Sequence, residues 1–214
     1  MPGKFHHEAL YRGDDIVGKL AALKLTICGV GAIGSNLADH LARQGAAKLR
    51  VIDHDRVEEH NVSTQLYGEF EVGLWKVEAL RNRLYRATGI EIDAIRKGLA
   101  AANARTLLRD SDLIIDAFDN TAGRRIVQDA AIAMGVPCIH VGLHADYFEV
   151  MWNDAYRVPG EAGADVCDYP LARSLILLAV AVASEAILEF VSSGGRTNWS
   201  GTLKDLHILP RADE

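Results

Sequence analysis

Short apolar runs alternate along the chain with longer segments in which apolar residues recur every three or four positions. The short runs predict strands at Leu25–Gly29, Lys48–Asp53, Glu91–Lys97, Leu113–Ala117 and Val136–Val141. Helical periodicity lies between them, at residues 33–44, 75–87, 105–110 and 122–134. This alternation predicts an α/β fold with a Rossmann-like, mostly parallel sheet that is flanked by helices.

The last third of the chain departs from that alternation. His144–Asn153 has the pattern of a strand that leaves the parallel sheet, and Asp154–Pro170 is predicted to be a crossing loop. A long apolar helix follows at Leu171–Val191 and ends at Gly194–Gly195, and Trp199–Leu209 is predicted to be a closing strand or hairpin. We therefore expect an antiparallel C-terminal extension of the sheet.

Composition places the chain among globular proteins. Its 214 residues, 49% hydrophobic and 24% charged, predict a single domain over residues 1–214. A net charge of −6 argues against nucleic acid as the main partner, although a small phosphorylated ligand needs only local positive charge. The N-terminal segment MPGKFHHEALYRGDD has no apolar signal core, which predicts a cytoplasmic protein.

The most apolar segment predicts a core or interface helix. Ser174–Ser184 has only 11 residues between Arg173 and Glu185, whereas a bilayer span needs roughly 20. We therefore expect no membrane association.

Three scattered cysteines predict neither a disulfide framework nor a structural zinc site. Cys28, Cys138 and Cys167 form no CxxC pair, and the eight histidines show no metal-ligand spacing. Cys28 and Cys138 lie within predicted strands and are interpreted as structural.

A glycine motif between the first strand and the first helix predicts a nucleotide site. Gly29, Gly31 and Gly34 have the GxGxxG spacing, which permits a tight turn and leaves the helix N-terminus open to phosphate. The Ser35 hydroxyl would add a donor. Asp53 follows Gly34 by 19 residues, at the end of the next strand, where a carboxylate accepts hydrogen bonds from ribose hydroxyls. The motif alone does not distinguish NAD from ATP, and tight packing would also explain its glycines.

The polar segment after Asp53 carries a more specific pattern. It reads DHDRVEEHNVSTQ over residues 53–65, then VGLWK over residues 72–76, and DAFDN appears at residues 116–120. With the glycine motif, this set resembles the ThiF/MoeB/HesA family, which includes ubiquitin-activating enzymes and adenylyltransferases that activate sulfur-carrier proteins. The resemblance covers about residues 20–195.

The resemblance implies roles for particular residues. The three glycines would hold ATP, Asp53 its ribose, and Asp55 would belong to the same nucleotide site. Asn61 and Gln65 match a polar loop beside the phosphates. The predicted catalytic residues are Lys76, which would contact the phosphates, Asp119, which would hold Mg²⁺, and Cys167, discussed below.

The implied reaction is acyl adenylation of a ubiquitin-like or sulfur-carrier protein that ends in glycine. The carrier's terminal carboxylate would attack the α-phosphorus of ATP, and pyrophosphate would leave. No general base is needed, because a carboxylate is ionised at neutral pH. The resemblance also implies a homodimer in which one subunit completes the other's ATP site.

This chain departs from the family pattern in ways that affect the implied chemistry. Thr64 stands where the family's N-x-x-R-Q loop has arginine, so another cation would have to compensate or catalysis would be weaker. Arg12 is the nearest candidate for an arginine that relatives insert from a partner subunit. The two CxxC pairs of many relatives are absent. Cys167 stands where several relatives form a thioester or acyl persulfide, although Asp165 and Asp168 would oppose its ionisation.

Plainer interpretations of the same residues stay open. Lys76 taken alone is typical of a solvated surface lysine, Asp119 has the position of a helix cap, and Asp116 competes with it for either task. Alternative functions are adenylation of a small molecule, peptide or tRNA-borne carboxylate, an NAD-dependent oxidoreductase, and a catalytically inactive subunit that only binds a partner.

Overall fold

The computed structural model describes residues 3–160 and 170–211. The helices are α1 (His6–Arg12), α2 (Asp14–Ala22), α3 (Ala32–Gln44), α4 (Lys76–Thr88), α5 (Ala101–Leu107), α6 (Thr121–Met134) and α7 (Arg173–Ser193). The strands are β1 (Lys24–Cys28), β2 (Lys48–Asp53), β3 (Asp93–Arg96), β4 (Leu113–Asp116), β5 (Cys138–His144), β6 (Tyr147–Trp152), β7 (Asn198–Thr202) and β8 (Ile208–Arg211). Short 3-10 turns lie between β2 and α4, at Glu59–Asn61 and Glu69–Glu71.

The strands form one sheet in the order β3-β2-β1-β4-β5-β6-β7-β8. Neighbours from β3 to β5 pair in parallel, with β1 between β2 and β4, which confirms the predicted parallel sheet. Strand order reverses between β1 and β4, and in open α/β sheets ligands bind at the carboxyl ends of the strands beside such a reversal. The predicted site residues follow β1, β2 and β4.

The predicted antiparallel extension is also confirmed. Strands β5 and β6 form a hairpin, and β6–β7 and β7–β8 pair antiparallel. The predicted closing segment is thus a hairpin of two strands.

Two parts of the N-terminal two thirds differ from the sequence prediction by more than shifted strand ends. The helix expected at 105–110 is α5, which begins earlier because the Asn103 side chain accepts a hydrogen bond from Ala100 N at 2.8 Å. It cannot extend through Asp110, whose φ of +60° is incompatible with a right-handed helix. Helices α1 and α2 were not predicted, since both are short, and Gly13 separates them with a φ of +92°.

Helix α7 is the most apolar helix in the described part of the chain. This helix of 21 residues contains an 18-residue stretch with a mean hydropathy of 2.1, and is long and apolar enough to cross a membrane, a test that core helices of soluble proteins also pass. It packs against α2, α3 and β6, and Leu175, Ile176 and Ala179 on it are fully buried. This packing favours the core role.

Candidate nucleotide site

The turn after β1 threads between the ends of two neighbouring strands. Gly29 has a φ of +85°, which favours glycine, and its N–H donates to Ile52 O at the end of β2. On the other side, a Cβ on Gly29 would lie 3.0 Å from Phe118 Cδ1 and 3.1 Å from Ala117 O, just after β4. The turn therefore brings together the chain segments that follow β1, β2 and β4.

The other two glycines of the motif have different surroundings. A Cβ on Gly34 would lie 1.9 Å from Gly29 O, so this position requires glycine for close packing of α3 on the turn. A Cβ on Gly31 would have Gln65 Nε2 as its nearest neighbour, at 4.0 Å. The space over Gly31 is thus open to a ligand, whereas Gly34 serves packing, a division of roles typical of dinucleotide-binding turns.

Asp53 holds this turn from the end of β2. Its buried carboxylate accepts hydrogen bonds from Val30 N and from Asp55 N, both at 2.8 Å. Buried Tyr67 donates from its hydroxyl to Val30 O at 2.8 Å, so the turn is fixed from both sides. Each carboxylate oxygen of Asp53 can still accept a bond from a ribose hydroxyl, because an ionised carboxylate has about four acceptor sites.

The polar loop after Asp53 is fastened to the first turn of α3. Asn36 Nδ2 donates to Thr64 O at 3.1 Å, and Ser35 Oγ accepts from Leu66 N at 3.1 Å. The Ser35 hydroxyl also donates to Gly31 O at 2.6 Å. The expectation that Ser35 offers its proton to phosphate is therefore wrong, because that proton already holds the helix start.

Asn61 and Gln65 differ in what their side chains do. Asn61 is buried, and its Oδ1 accepts a bond from Glu58 N at 2.9 Å while its backbone carbonyl accepts from Gln65 N at 2.8 Å. It shapes the loop. Gln65 Oε1 is a buried atom with no hydrogen-bond partner in the described structure, and its amide faces Gly31. An orphaned buried polar atom is what a ligand or ordered water would satisfy.

Lys76 is buried rather than solvated. It is only 8% exposed, and its Nζ lies 3.2 Å from Asp55 Oδ2. Its backbone N–H donates to Asp55 O at 2.9 Å, which fixes the start of α4 against the segment after β2. Lysine is almost never buried unless it is paired, so the interpretation of Lys76 as a surface residue is wrong. Half of the Asp55 side chain remains exposed.

Asp119 lies exposed in the segment between β4 and α6. The cap of α6 is Asn120, whose Oδ1 accepts a bond from Gly123 N at 2.7 Å. Asp119 therefore does not cap the helix, and its carboxylate contacts Asn120 Nδ2 at 3.3 Å. An exposed carboxylate at the carboxyl end of a strand fits Mg²⁺, which prefers one or two protein carboxylates together with phosphate oxygens.

Asp116, the competing candidate, is fully buried. Its Oδ2 lies 2.8 Å from His140 Nδ1 and 3.7 Å from Arg124 Nη1. Its Oδ1 accepts a hydrogen bond from Phe118 N at 3.1 Å. These contacts assign Asp116 to shaping the segment that carries Asp119, which removes it as a candidate for contacting metal or nucleotide.

A further group of possible metal ligands was not predicted from the sequence. Ligand atoms of Asp53, His54 and Asp55 lie within 4.8 Å of one another. Asp53 is committed to the turn and Asp55 to Lys76, so this group belongs to the nucleotide site already described.

Arg12, the candidate for an arginine given to a partner's site, is held by carboxylates of its own chain. Arg12 binds Glu185 of α7 through two hydrogen bonds, at 2.6 and 2.9 Å, and Glu8 at 2.7 Å. These carboxylates raise the pKa of its guanidinium above the ordinary value and engage it within its own chain. Cys167 lies outside the described residues.

The fold and the site define an α/β domain with a nucleotide-binding turn at the switch between β1 and β4. A family model described as the ThiF family matches residues 7–167. The chain belongs to this family.

Curated relatives match part of the chain. It is 32% identical over 146 residues to the sulfur carrier protein ThiS adenylyltransferase of Bacillus subtilis, covering 65% of this chain and 44% of that protein. It is 29% identical over 160 residues to a probable adenylyltransferase/sulfurtransferase, MoeZ, of Mycobacterium tuberculosis, covering 74% and 38%. The chain thus spans less than half the length of these relatives.

Solved structures match nearly the whole fold at low identity. The E. coli MccB crystal structure has a TM-score of 0.84 and 16% identity, covering 100% of this chain and 70% of that one. The crystal structure of PaaA has a TM-score of 0.79 and 20% identity, covering 98% and 72%. These likenesses show the fold.

Proposed function

We propose that this protein adenylates the C-terminal carboxylate of a ubiquitin-like or sulfur-carrier protein with ATP. The observation that carries the proposal is the arrangement of a buried lysine, a clamped glycine turn and a pinned polar loop around the ends of β1 and β2. An oxidoreductase that binds NAD through the same turn would need neither the buried Lys76 nor the exposed Asp119. The names of the curated relatives support adenylyl transfer.

In the proposed reaction, a carboxylate oxygen of the carrier forms a bond to the α-phosphorus of ATP. The bond from that phosphorus to the bridging oxygen breaks, and pyrophosphate leaves with the electron pair. No proton is transferred. The open space over Gly31 lets phosphate approach the amides at the start of α3, and the ribose hydroxyls donate to Asp53.

Lys76 stabilises the charge that develops on the phosphates. Because the Lys76 side chain is already buried and held by Asp55, it loses little conformational entropy when it contacts the phosphates. Asp119 would hold Mg²⁺, which when bound neutralises phosphate charge. The exposed carboxylate of Asp119, free of the α6 cap, supports this assignment.

A peptide is the alternative substrate class. The solved MccB structures include complexes with ATP and with N-formylated MccA, and their fold matches 99% of this chain. A short peptide with a terminal carboxylate would undergo the same attack on the α-phosphorus.

The proposal also includes a homodimer, transfer of the acyl group to a thiol, and a cytoplasmic location of the protein. A homodimer would form through the exposed flank of α7. Cys167, which lies outside the described residues, would accept the acyl group by attacking the adenylate and releasing AMP. Adenylation and acyl transfer would both take place in the cytoplasm.

Pyrophosphate exchange tests the adenylation proposal. We expect carrier-dependent exchange of labelled pyrophosphate into ATP, reduced at least a hundredfold in Lys76→Ala and Asp119→Asn, since a transition-state charge contact contributes about 3–4 kcal/mol. Asp119→Asn should leave the free energy of unfolding unchanged because Asp119 is exposed, whereas Asp116→Asn, the matched control, should lower it by about 1–3 kcal/mol.

Three outcomes would contradict the proposal. Binding of NAD without ATP would favour an oxidoreductase, and carrier binding without exchange would favour an inactive subunit. Exchange driven by a short peptide and by no carrier protein would favour the peptide alternative.

A further inference from the structure

Arg173 carries a positive charge at a position where it does not stabilise its own helix. It is the first residue of α7, and a positive charge at a helix N-terminus is opposed by the helix dipole. Its side chain is exposed, and within residues 3–160 and 170–211 it forms no ion pair. Its one hydrogen bond there is a long one, from Nη1 to Gln65 O at 3.4 Å.

That contact places the guanidinium on the polar loop of the nucleotide site. Gln65 follows Thr64, whose carbonyl is tied to α3 by Asn36, and the Gln65 amide faces Gly31. The guanidinium therefore lies on the loop that borders the open side of the glycine turn. A guanidinium carries five N–H donors, and four of those of Arg173 have no partner within residues 3–160 and 170–211.

Among the side chains placed at the site above, only Lys76 supplies positive charge for a triphosphate. Asp53 and Asp55 carry two negative charges, and Lys76 supplies one positive charge that it shares with Asp55. Asp53, Asp55 and Lys76 thus sum to a negative charge, so a further cation would strengthen phosphate binding beside the amides of α3 and a Mg²⁺ ion at Asp119.

Two other arginines, near the segment of residues 53–76, already have ring or carboxylate partners. Arg56 lies 3.8 Å from the ring centre of Trp75 and donates to Gly73 O. Arg96 lies 4.6 Å from the same ring and 3.7 Å from Glu78. Among the arginines that contact this segment, Arg173 is the one with neither a ring nor a carboxylate partner in the described structure.

We infer that Arg173 binds phosphate oxygens of the nucleoside triphosphate and supplies, from the start of α7, the charge that Thr64 does not. This inference rests on the proposed function and deepens it. It makes α7, a core helix, part of the nucleotide site. A guanidinium suits this task because its planar donors match phosphate oxygens in pairs.

Calorimetric titration with ATP and with AMP, in the absence of carrier, tests the inference. Arg173→Ala should weaken ATP binding about 10–100-fold, the usual contribution of hydrogen bonds to charged groups, and leave AMP binding within about twofold. Thr64→Arg added to Arg173→Ala should restore at least tenfold of the lost affinity. Arg43→Ala, which removes an exposed arginine at the far end of α3, should change neither titration.

The possible failures are distinguishable. If the unmodified protein binds neither nucleotide, the proposed function fails and this inference fails with it. If it binds ATP and Arg173→Ala binds ATP equally well, or loses ATP and AMP affinity to the same degree, only the inference about Arg173 is overturned. An unchanged thermal unfolding midpoint of Arg173→Ala shows that lost affinity is not lost folding.

Discussion

At the scale of single residues, two glycines of one motif have separable purposes. Alanine at Gly34 would place its Cβ 1.9 Å from Gly29 O, a backbone atom that cannot move aside without opening the turn. Alanine at Gly31 would meet nothing closer than 4.0 Å. The first glycine is thus required by packing, and the second by what approaches the turn from outside.

We expect Gly34→Ala to lower the free energy of unfolding by about 1–3 kcal/mol or more, the usual cost of overpacking. Gly31→Ala should cost less stability than Gly34→Ala but weaken ATP binding, because its methyl group would occupy the space beside Gln65. Urea denaturation and nucleotide titration of both variants measure these effects. Equal losses of stability in the two variants would contradict this division of roles.

At the scale of elements, the sequence predicts those strands and helices whose ends follow from the apolar periodicity. Strand β2 begins and ends at the predicted residues, and α6 begins within one residue of its predicted start, because apolar periodicity marks both elements. Helix α6 ends before Gly135, a residue that favours a helix end. Helix α5 was misplaced because its start depends on the Asn103 cap and its end on Asp110.

The candidate site follows the same rule. The spacing of the glycines and Asp53 follows from the order of strand, turn and helix, so the sequence predicts these residues. Lys76 is predicted only through the resemblance to the ThiF/MoeB/HesA family. The roles of Ser35, Tyr67 and Arg173 depend on contacts between segments distant along the chain. No local pattern specifies such contacts, so the sequence predicts no role for Tyr67 or Arg173 and a wrong one for Ser35.

Helix α7 carries the prediction that belongs to this scale. Leu177 is 44% exposed on a helix that is otherwise largely buried. If α7 forms the proposed homodimer interface, Leu177→Glu should raise the dimer dissociation constant at least tenfold, because burying a leucine stabilises by about 1.5–3 kcal/mol and burying an unpaired carboxylate is unfavourable. Sedimentation velocity across a concentration series measures this change.

Ile132→Glu is the matched control for that experiment. Ile132 is also an exposed aliphatic residue on a helix, α6, that has no part in the proposed interface. This variant should associate as the unmodified protein does. A protein that sediments as a monomer at every concentration, or a Leu177→Glu variant that dimerises normally, would show that α7 is not the interface.

At the scale of the whole molecule, buried ionisable groups link stability to pH. Cys28 in β1 and Cys138 in β5 are both buried between the sheet and its helices, in the same cluster as Ile52 and Val127. Burial raises the pKa of each thiol well above the ordinary value of 9.0, and the charge of nearby Asp116 acts in the same direction. Burial likewise raises the pKa of the Tyr67 hydroxyl well above 10.0.

The sign of the pH dependence follows from where the protons are held. Above about pH 9 the unfolded chain releases its thiol protons while the folded protein keeps them, so the unfolded state binds fewer protons and stability falls as pH rises. Two thiols that titrate only when unfolded should together lower the free energy of unfolding by about 2–3 kcal/mol between pH 8 and pH 10. Urea denaturation under reducing conditions at several pH values measures this slope.

The variant Cys28→Ala should reduce the slope by about half, since it keeps only the Cys138 contribution. A profile that stays flat to pH 10 would show that the folded protein ionises these thiols as readily as the unfolded chain does.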